Sequence, residues 1–432
     1  MKDQAGQFAP SENRQETLPT NLGINGIGRI GKLNIWHHVA RRSFEGLVVN
    51  AGREAGKGLQ DIADYLNRDS TYGTLARYIH GFRGGRVIEE LDETAGTIRI
   101  NGVTVEILRE ARNPAKIPWR KRGVSLVADC TGVFRDPTVP ADSPKGSLRG
   151  HLEGGVSKVI LSAPFKIKDK TKDMPDDAVT SIQGINEGAY DSQRHHIISV
   201  ASCTTTCLAF MIKPLLDHFG SGPVLGASMV TVHATTGSQE VLDRLPDAGS
   251  DDLRKNRGIL NNIILTTTGA ASALGLVIPQ MKEIGFIAES VRIPTSTGSL
   301  IILMLNIQNL TPEEKITPER INQIYQKAAE GSLSKYLSFT ETQNVSSDII
   351  GATSAAIIEG RETRAQTGLV KVALSETCRL VPEGPLGGDA SSTLEVPVTQ
   401  VVVYGWYDNE LGSFTNIMGE RTIAIANGLL ER

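Results

Sequence analysis

A cysteine that opens a helix and a histidine that closes an apolar strand are the two side chains of this sequence best placed for covalent chemistry. Cys203 stands where the apolar run Ile197 to Val200 gives way to Leu208, Met211, Leu215 and Phe219, spaced as on one face of a helix. Sulfur at a helix N-terminus meets backbone N–H groups and partial positive charge, which favour the thiolate over a free thiol of pKa about 8.5. Such a site activates the sulfur. His233 closes the apolar run Met229 to Val232 and opens the polar turn His233-Ala234-Thr235-Thr236-Gly237-Ser238-Gln239. An imidazole there can act as base to the thiol once the fold brings the two strand ends together. Isolated cysteines and histidines more often pack or satisfy hydrogen bonds; the surroundings reverse that balance here.

The other candidates read differently. Cys203 and Cys207 are four residues apart, but no third and fourth ligand follow at matching spacing, so no metal is expected and Cys207 reads as packing. His37-His38 and His195-His196 read as surface or turn residues. The cysteines Cys130, Cys203, Cys207 and Cys378 are too few and too scattered for a disulfide framework, which points to a reducing compartment.

A second constellation binds phosphate. The short strand Thr20 to Ile24 runs into Asn25-Gly26-Ile27-Gly28-Arg29-Ile30-Gly31, then into helical spacing at Ile30, Leu33, Trp36 and Ala40, then into a strand at Leu47 to Val49. Glycines in that order let the backbone approach a pyrophosphate at a positive helix end. The runs Val124 to Ala128, Val159 to Leu161 and Ile197 to Val200 each end in small residues, as parallel strands facing a ligand would.

These elements require more than one core: 432 residues predict two domains. Hydrophobic content of 40%, charged content of 22% and a net charge of -3 fit an ordinary globular chain and offer no basic excess for nucleic acid. The longest apolar stretches, such as Leu300 to Leu305, fall far short of the roughly 20 residues of a membrane span. Residues 1–20 read as a polar N-terminal extension, and the cytoplasm is the expected location.

The fold class predicted is α/β: a Rossmann dinucleotide-binding domain over 21–202, joined by the C-terminal helix 411–432, and an α+β catalytic domain with a mixed or antiparallel sheet over 203–410. The second domain takes the helix from Cys203, strands near Val224 to Val232, Ser299 to Ile307 and Val398 to Tyr404, and a helix from Thr317-Pro318-Glu319 to Gly331. The stretches Asp136 to Gly150 and Glu376 to Leu394 read as inserted surface loops.

Three runs in order, Gly23 to Gly31, Ala201-Ser202-Cys203-Thr204-Thr205-Thr206-Cys207 and Trp406-Tyr407-Asp408-Asn409-Glu410, closely resemble the signatures of the glyceraldehyde-3-phosphate dehydrogenase family. Asp69 to Gly73, Thr131 to Phe134, Leu161 to Pro164, Thr231 to Ala234, Thr267 to Ala271 and Arg292 to Thr295 add to the likeness, which spans nearly all of 21–430.

The resemblance implies that Cys203 attacks an aldehyde, that His233 takes its proton and assists hydride departure, and that inorganic phosphate cleaves the thioester. It places the substrate phosphate and the attacking phosphate on Ser202, Thr204, Thr236, Lys255, Thr268, Gly269 and Arg292. The cofactor, NAD or NADP, falls on Asn25, Gly26, Gly28, Arg29, Ile30, Gly31, Arg53, Arg112, Thr131, Ser162 and Asn409, with Asn409 orienting the nicotinamide amide. A homotetramer is also implied.

The departures concern specificity. Where NAD-specific relatives end their second strand in aspartate, this chain reads Asn50-Ala51-Gly52-Arg53-Glu54. A carboxylate there repels a 2′-phosphate by about 4 kcal/mol at 4 Å and an effective dielectric of 20. Without it NADP is accepted if Arg53 engages the phosphate, opposed if Glu54 takes the aspartate's part. Thr206, Leu411 and Ser413 replace the family's usual residues, and Lys255 replaces an arginine, so it cannot make the same bidentate fork. Two alternatives stay open: a dehydrogenase of erythrose 4-phosphate or a related aldehyde, and a non-catalytic dinucleotide-binding interaction protein on the same scaffold.

Overall fold

A computed structural model describes residues 17–109, 111–309, 315–373 and 393–431. Its first unit is a nine-stranded sheet. The buried apolar run Leu18–Asn25 lies between the parallel strands Phe44–Asn50 and Val124–Asp129. Lys158–Leu161, Ile197–Ser199 and Ala178–Thr180 extend it in parallel on one side. Val103–Leu108 extends it in parallel on the other, where Thr97–Ile100 and Ile88–Asp92 complete it as an antiparallel edge. Strand order reverses at Leu18–Asn25, so a crevice opens above Asn25, Asn50 and Asp129, where doubly wound sheets take their ligands.

The second unit is an eight-stranded mixed sheet. The strand Val224–Ala234 pairs in parallel with Phe286–Ile293 and antiparallel with Ser299–Gln308, which pairs in turn with Thr393–Tyr407. Its odd-numbered residues from Ala227 to His233 are buried, and the even-numbered ones between them are only partly covered. Cys203–Phe219 packs in the core on the covered side with Ala270–Val277 and Pro318–Glu330, the last capped by Thr317 and stopped at Gly331 as its sequence predicts.

The C-terminal segment returns to the first unit. Leu411, Phe414, Met418, Ile423 and Ile425 share a core with Leu22, Ile24, Leu33 and Trp36. Among the described residues no helix is long and apolar enough to cross a membrane.

Three expectations need correction. The first strand begins at Leu18, inside the stretch read as an extension. The stretch Asp136 to Gly150 is not simply a surface loop: Ser147, Leu148 and Gly150 are buried, and Gly146 packs so closely on Phe134 and Pro114 that a side chain there would collide. The stretch Glu376 to Leu394 lies outside the described residues except for Thr393 and Leu394.

His37 and His38 are the third. They are not surface residues but lie 1% exposed in the helix Arg29–Arg41, with Gly419 against His37 and Phe44 against His38. Neither nitrogen of His38 has a partner, and burial, helped by Arg41, pushes its pKa down to about 3. A histidine neutral in the folded state and protonated near pH 6.5 once unfolded withdraws stability as pH falls below 6.5, by about 1.4 kcal/mol per pH unit at most. His38→Leu should therefore raise the melting temperature more at pH 5.5 than at pH 7.5; an equal change at both would show that His38 titrates normally.

Candidate functional site

The glycine loop reaches its shape by different means at each glycine. Gly26 has φ +94°, open to glycine at little cost. A Cβ at Gly31 would lie 1.9 Å from the Gly26 carbonyl oxygen, so loop and helix touch only because that residue has none. Nothing lies within 4 Å of a Cβ built on Gly28, whose own C=O begins the helix; no side chain caps that helix and no acidic residue occupies its first turn. A free N-terminus facing open space fits a pyrophosphate.

Beneath the loop is a buried polar brace. The Asn25 carbonyl oxygen Oδ1 accepts from Asn50 Nδ2 at 2.8 Å, while Asn25 Nδ2 donates to Asp129 Oδ2 at 2.9 Å. Trp119 Nε1 donates to His151 Nδ1 at 3.0 Å, which leaves the proton on His151 Nε2 to reach the same carboxylate at 3.0 Å. Thr131 donates to Asp129 Oδ1 through its N–H and its hydroxyl. The side chain of Asn25 thus ties three strand ends together and is not free to hold a cofactor, and the hydroxyl of Thr131 is engaged in the same way. Partly exposed Ser162 follows the Lys158–Leu161 strand, its N–H on the Asp129 carbonyl. Ile30 lies partly buried against the core.

Arg29 also differs from expectation. Its guanidinium grips Glu410 with two nitrogens and Asp69 with a third, and Tyr72 donates to Asp408 Oδ1 at 2.8 Å. The side chain fastens the glycine loop to the Trp406 to Glu410 motif, leaving its backbone to face a ligand. At the far end of the crevice Arg53 and Arg112 line one cleft with Gly52, Arg109 and Lys116. Glu54 lines it too, but Arg109 approaches its carboxylate at 3.5 Å.

Cys203 begins its helix two residues after Ala201, whose φ of +59° turns the chain out of the strand Ile197–Ser199. Ser202 caps the helix, accepting from the Thr205 N–H at 3.2 Å. Cys203 Sγ lies 3.4 Å from His233 Nε2. On the other side of the ring Nδ1 is 2.8 Å from the Ala234 carbonyl, which can only accept. That contact puts the proton on Nδ1 and turns the Nε2 lone pair to the sulfur.

Arg292, the register partner of His233 on the neighbouring strand, lies against the same ring edge; its guanidinium can only donate, so it cannot bond a protonated Nδ1 and instead shares the Ala234 carbonyl, donating to it at 3.1 Å. Burial, followed by Arg292, pushes the His233 pKa down to about 3. Burial also raises the Cys203 thiol, against the opposing pull of Arg292 and of the N–H groups of Thr204 and Cys203. Burial therefore opposes the thiolate at this helix end, while Arg292 and the helix N–H groups favour it.

The remaining expected residues divide. Thr204 is buried, its hydroxyl 3.1 Å from the Tyr407 hydroxyl and its side chain also favouring the Cys203 thiolate. Thr236 contacts Ser238 and Gln239 in its own turn, and Thr268 and exposed Gly269 precede the helix Ala270–Val277. Lys255 is exposed, and no contact among the described residues brings it to Cys203. Asn409 is 4% exposed, and its Oδ1 accepts from Thr297 at 3.0 Å and Ser299 at 2.9 Å. Sequence reasoning missed Thr297, Ser299 and the roles of Tyr407 and Asp129; a Thr-Gly-Ser step before an apolar strand is the one signal that pointed to the first two.

The two glycines allow a clean test. Gly28→Ala should leave the melting temperature nearly unchanged yet weaken dinucleotide binding at least tenfold, whereas Gly31→Ala should lower both, which calorimetry and fluorescence titration can separate. Equal dinucleotide affinity in wild type and Gly28→Ala would remove the pyrophosphate from this helix end.

Comparison with known proteins matches this sequence to a family. Residues 20–137 match the model of the glyceraldehyde 3-phosphate dehydrogenase NAD binding domain, and residues 202–374 that of the C-terminal domain. Glyceraldehyde-3-phosphate dehydrogenase 2 of Streptomyces avermitilis is 35% identical over 413 residues, covering 95% of this chain and 100% of the relative. Glyceraldehyde-3-phosphate dehydrogenase 1 of Bacillus subtilis is 32% identical over 412 residues, again covering 95% and 100%. With the glycine loop, the cysteine helix and the Asp408-Asn409 turn arranged as described, the chain belongs to the glyceraldehyde-3-phosphate dehydrogenase family.

Proposed function

We propose that this protein oxidises glyceraldehyde 3-phosphate with a nicotinamide dinucleotide and phosphorylates the product to 1,3-bisphosphoglycerate. The 3.4 Å approach of Cys203 Sγ to His233 Nε2 carries the reading. The thiol proton passes to Nε2 as sulfur bonds to the aldehyde carbon, and Nε2 hands it on to the new alkoxide oxygen, giving a thiohemiacetal and a free imidazole. His233 then removes the proton of the thiohemiacetal hydroxyl as hydride leaves, and a thioester remains. The Cys203 N–H supports the oxygen while it carries charge. Inorganic phosphate attacks the thioester carbon, and sulfur departs to regain its proton.

The dinucleotide supplies the hydride acceptor. Gly26, Gly28, Gly31 and the backbone of Arg29 and Ile30 suit its pyrophosphate, Thr131 and Ser162 flank its path, and the Nδ2 of Asn409 suits its carboxamide. Ser202, Thr236, Thr268, Gly269 and Arg292 supply hydroxyl, backbone and guanidinium donors for the two phosphates, with Lys255 a point charge at their margin. The chain divides, on this reading, into a dinucleotide-binding unit of 21–202 with the C-terminal helix and a catalytic unit of 203–410, and it works in the cytoplasm.

Arg53, Arg112 and Lys116 beside a carboxylate already approached by Arg109 favour acceptance of a 2′-phosphate. The partly covered sheet face, with Leu265 56% and Ile287 65% exposed, favours assembly of copies into a homotetramer. Sedimentation should show Ile287→Lys dissociating; an unchanged wild-type monomer would dismiss the assembly.

Dinucleotide reduction followed at 340 nm should require both glyceraldehyde 3-phosphate and inorganic phosphate, and His233→Asn should lower kcat by about 10²–10⁴-fold. Full turnover without phosphate, or a preference for erythrose 4-phosphate, would replace the reading with that of a hydrolytic sibling. NADP should be used with a kcat/KM within about a hundredfold of NAD; a larger deficit would make Glu54 the selective group.

A further inference from the structure

Asn409 lies in the turn after Thr393–Tyr407 and His233 near the end of Val224–Ala234, two strands separated by Ser299–Gln308, yet one hydroxyl touches Asn409 and the peptide that follows His233. Ser299 is fully buried at the start of Ser299–Gln308, one step beyond the register pair Val232–Leu300 and opposite Tyr407. Its Oγ accepts from the Ala234 N–H at 3.0 Å, which pins the peptide group joining His233 to Ala234. The Ala234 carbonyl then takes the Nδ1 proton of His233. Since an N–H can only donate, the single hydroxyl hydrogen of Ser299 is left for Asn409 Oδ1, 2.9 Å away.

Thr297 also donates to Asn409 Oδ1, but its one hydrogen is shared with Asp408 Oδ1, each at 3.0 Å. Ser299 has no such second acceptor. Were the Asn409 amide reversed, two donor hydrogens would face its amino group and the hydroxyl of Ser299 would be left without an acceptor in a dry site. The turn that delivers both hydroxyls is itself constrained: Gly298 has φ +81°, and a Cβ there would lie 2.1 Å from the Ser346 carbonyl oxygen.

We infer that Ser299 is a positioning residue that fixes the orientation of the Asn409 amide and the placement of the His233 imidazole through one hydroxyl, so that cofactor orientation and base geometry are coupled. The inference rests on the roles of His233 and Asn409 proposed above. It assigns Ser299 no contact with substrate.

The test uses the full chain and compares Ser299→Ala, Ser299→Thr, Asn409→Ala and the Ser299→Ala/Asn409→Ala double variant in steady-state assays. Ser299→Ala should raise the KM for the dinucleotide about tenfold, the worth of one hydrogen bond, and lower kcat by at least as much. Ser299→Thr, which keeps the hydroxyl, should recover most of both. The double variant should show a dinucleotide KM within about twofold of Asn409→Ala alone, because the amide that Ser299 orients is already gone.

Additive effects in the double variant, or no recovery by threonine, would overturn the inference. A general packing role would lower stability without this pattern. Should Ser299→Ala not fold, Ser299→Cys serves in its place, since a thiol fills the space but donates weakly. A fully active His233→Asn would defeat the underlying reading of the site; an inactive one beside additive Ser299 and Asn409 effects would defeat only the coupling.

Discussion

The site depends on the register of one strand. Val224–Ala234 is held in parallel by Phe286–Ile293 and antiparallel by Ser299–Gln308, and this double pairing lines up Arg292 beside His233 and brings Ser299 opposite Tyr407. Cross-strand partners point to the same face of a sheet, so these side chains all face the helix that begins at Cys203. A slip of one residue would send His233 to the open face and Val232 into the core. Apolar burial of Ala227 and Met229, together with the Thr231 hydroxyl bonded to Tyr407 at 2.7 Å, resists that slip. The geometry of the chemistry is thus enforced by packing several residues away from it.

Burial acts alike on groups that do chemistry and groups that do not. It pushes His233 and His38 down to about 3, yet only His233 has a sulfur at its free nitrogen. His38 has no partner at either nitrogen and serves the packing of the first helix. A perturbed pKa therefore marks a dry environment, and the partner atoms decide whether that dryness is used. At Cys203 burial opposes the charged form of both thiol and imidazole, while Arg292 pulls the sulfur the other way.

Much of this was legible in the residues. The glycine spacing, the apolar strands ending in small residues and the change to helical spacing at Cys203 announced the parallel strands and the head of the cysteine helix, because those features are local. Periodicity could not show that His37 and His38 face inward, since polar residues on a helix are ordinarily read as its wet side. Nor could it show that Asn25, Arg29 and Thr204 spend their side chains on Asp129, Glu410 and Tyr407: those partners lie 104, 381 and 203 residues away. A ligand role and a bracing role demand the same residue type, and only tertiary contacts tell them apart.

That distinction explains how motifs far apart in sequence form one object. Arg29 of the glycine loop is clasped by Glu410, Tyr72 reaches Asp408, and Thr297 and Ser299 bond the intervening Asn409. The chain can bring Glu410 back to the loop only because Leu411, Phe414 and Met418 re-enter the core of the first sheet immediately afterwards. Burying those three side chains offsets the entropy of closing so long a loop, at roughly 1.5–3 kcal/mol each. Hydrophobic docking of this C-terminal segment and the Arg29 clasp thus both tie Trp406 to Glu410 to the dinucleotide crevice.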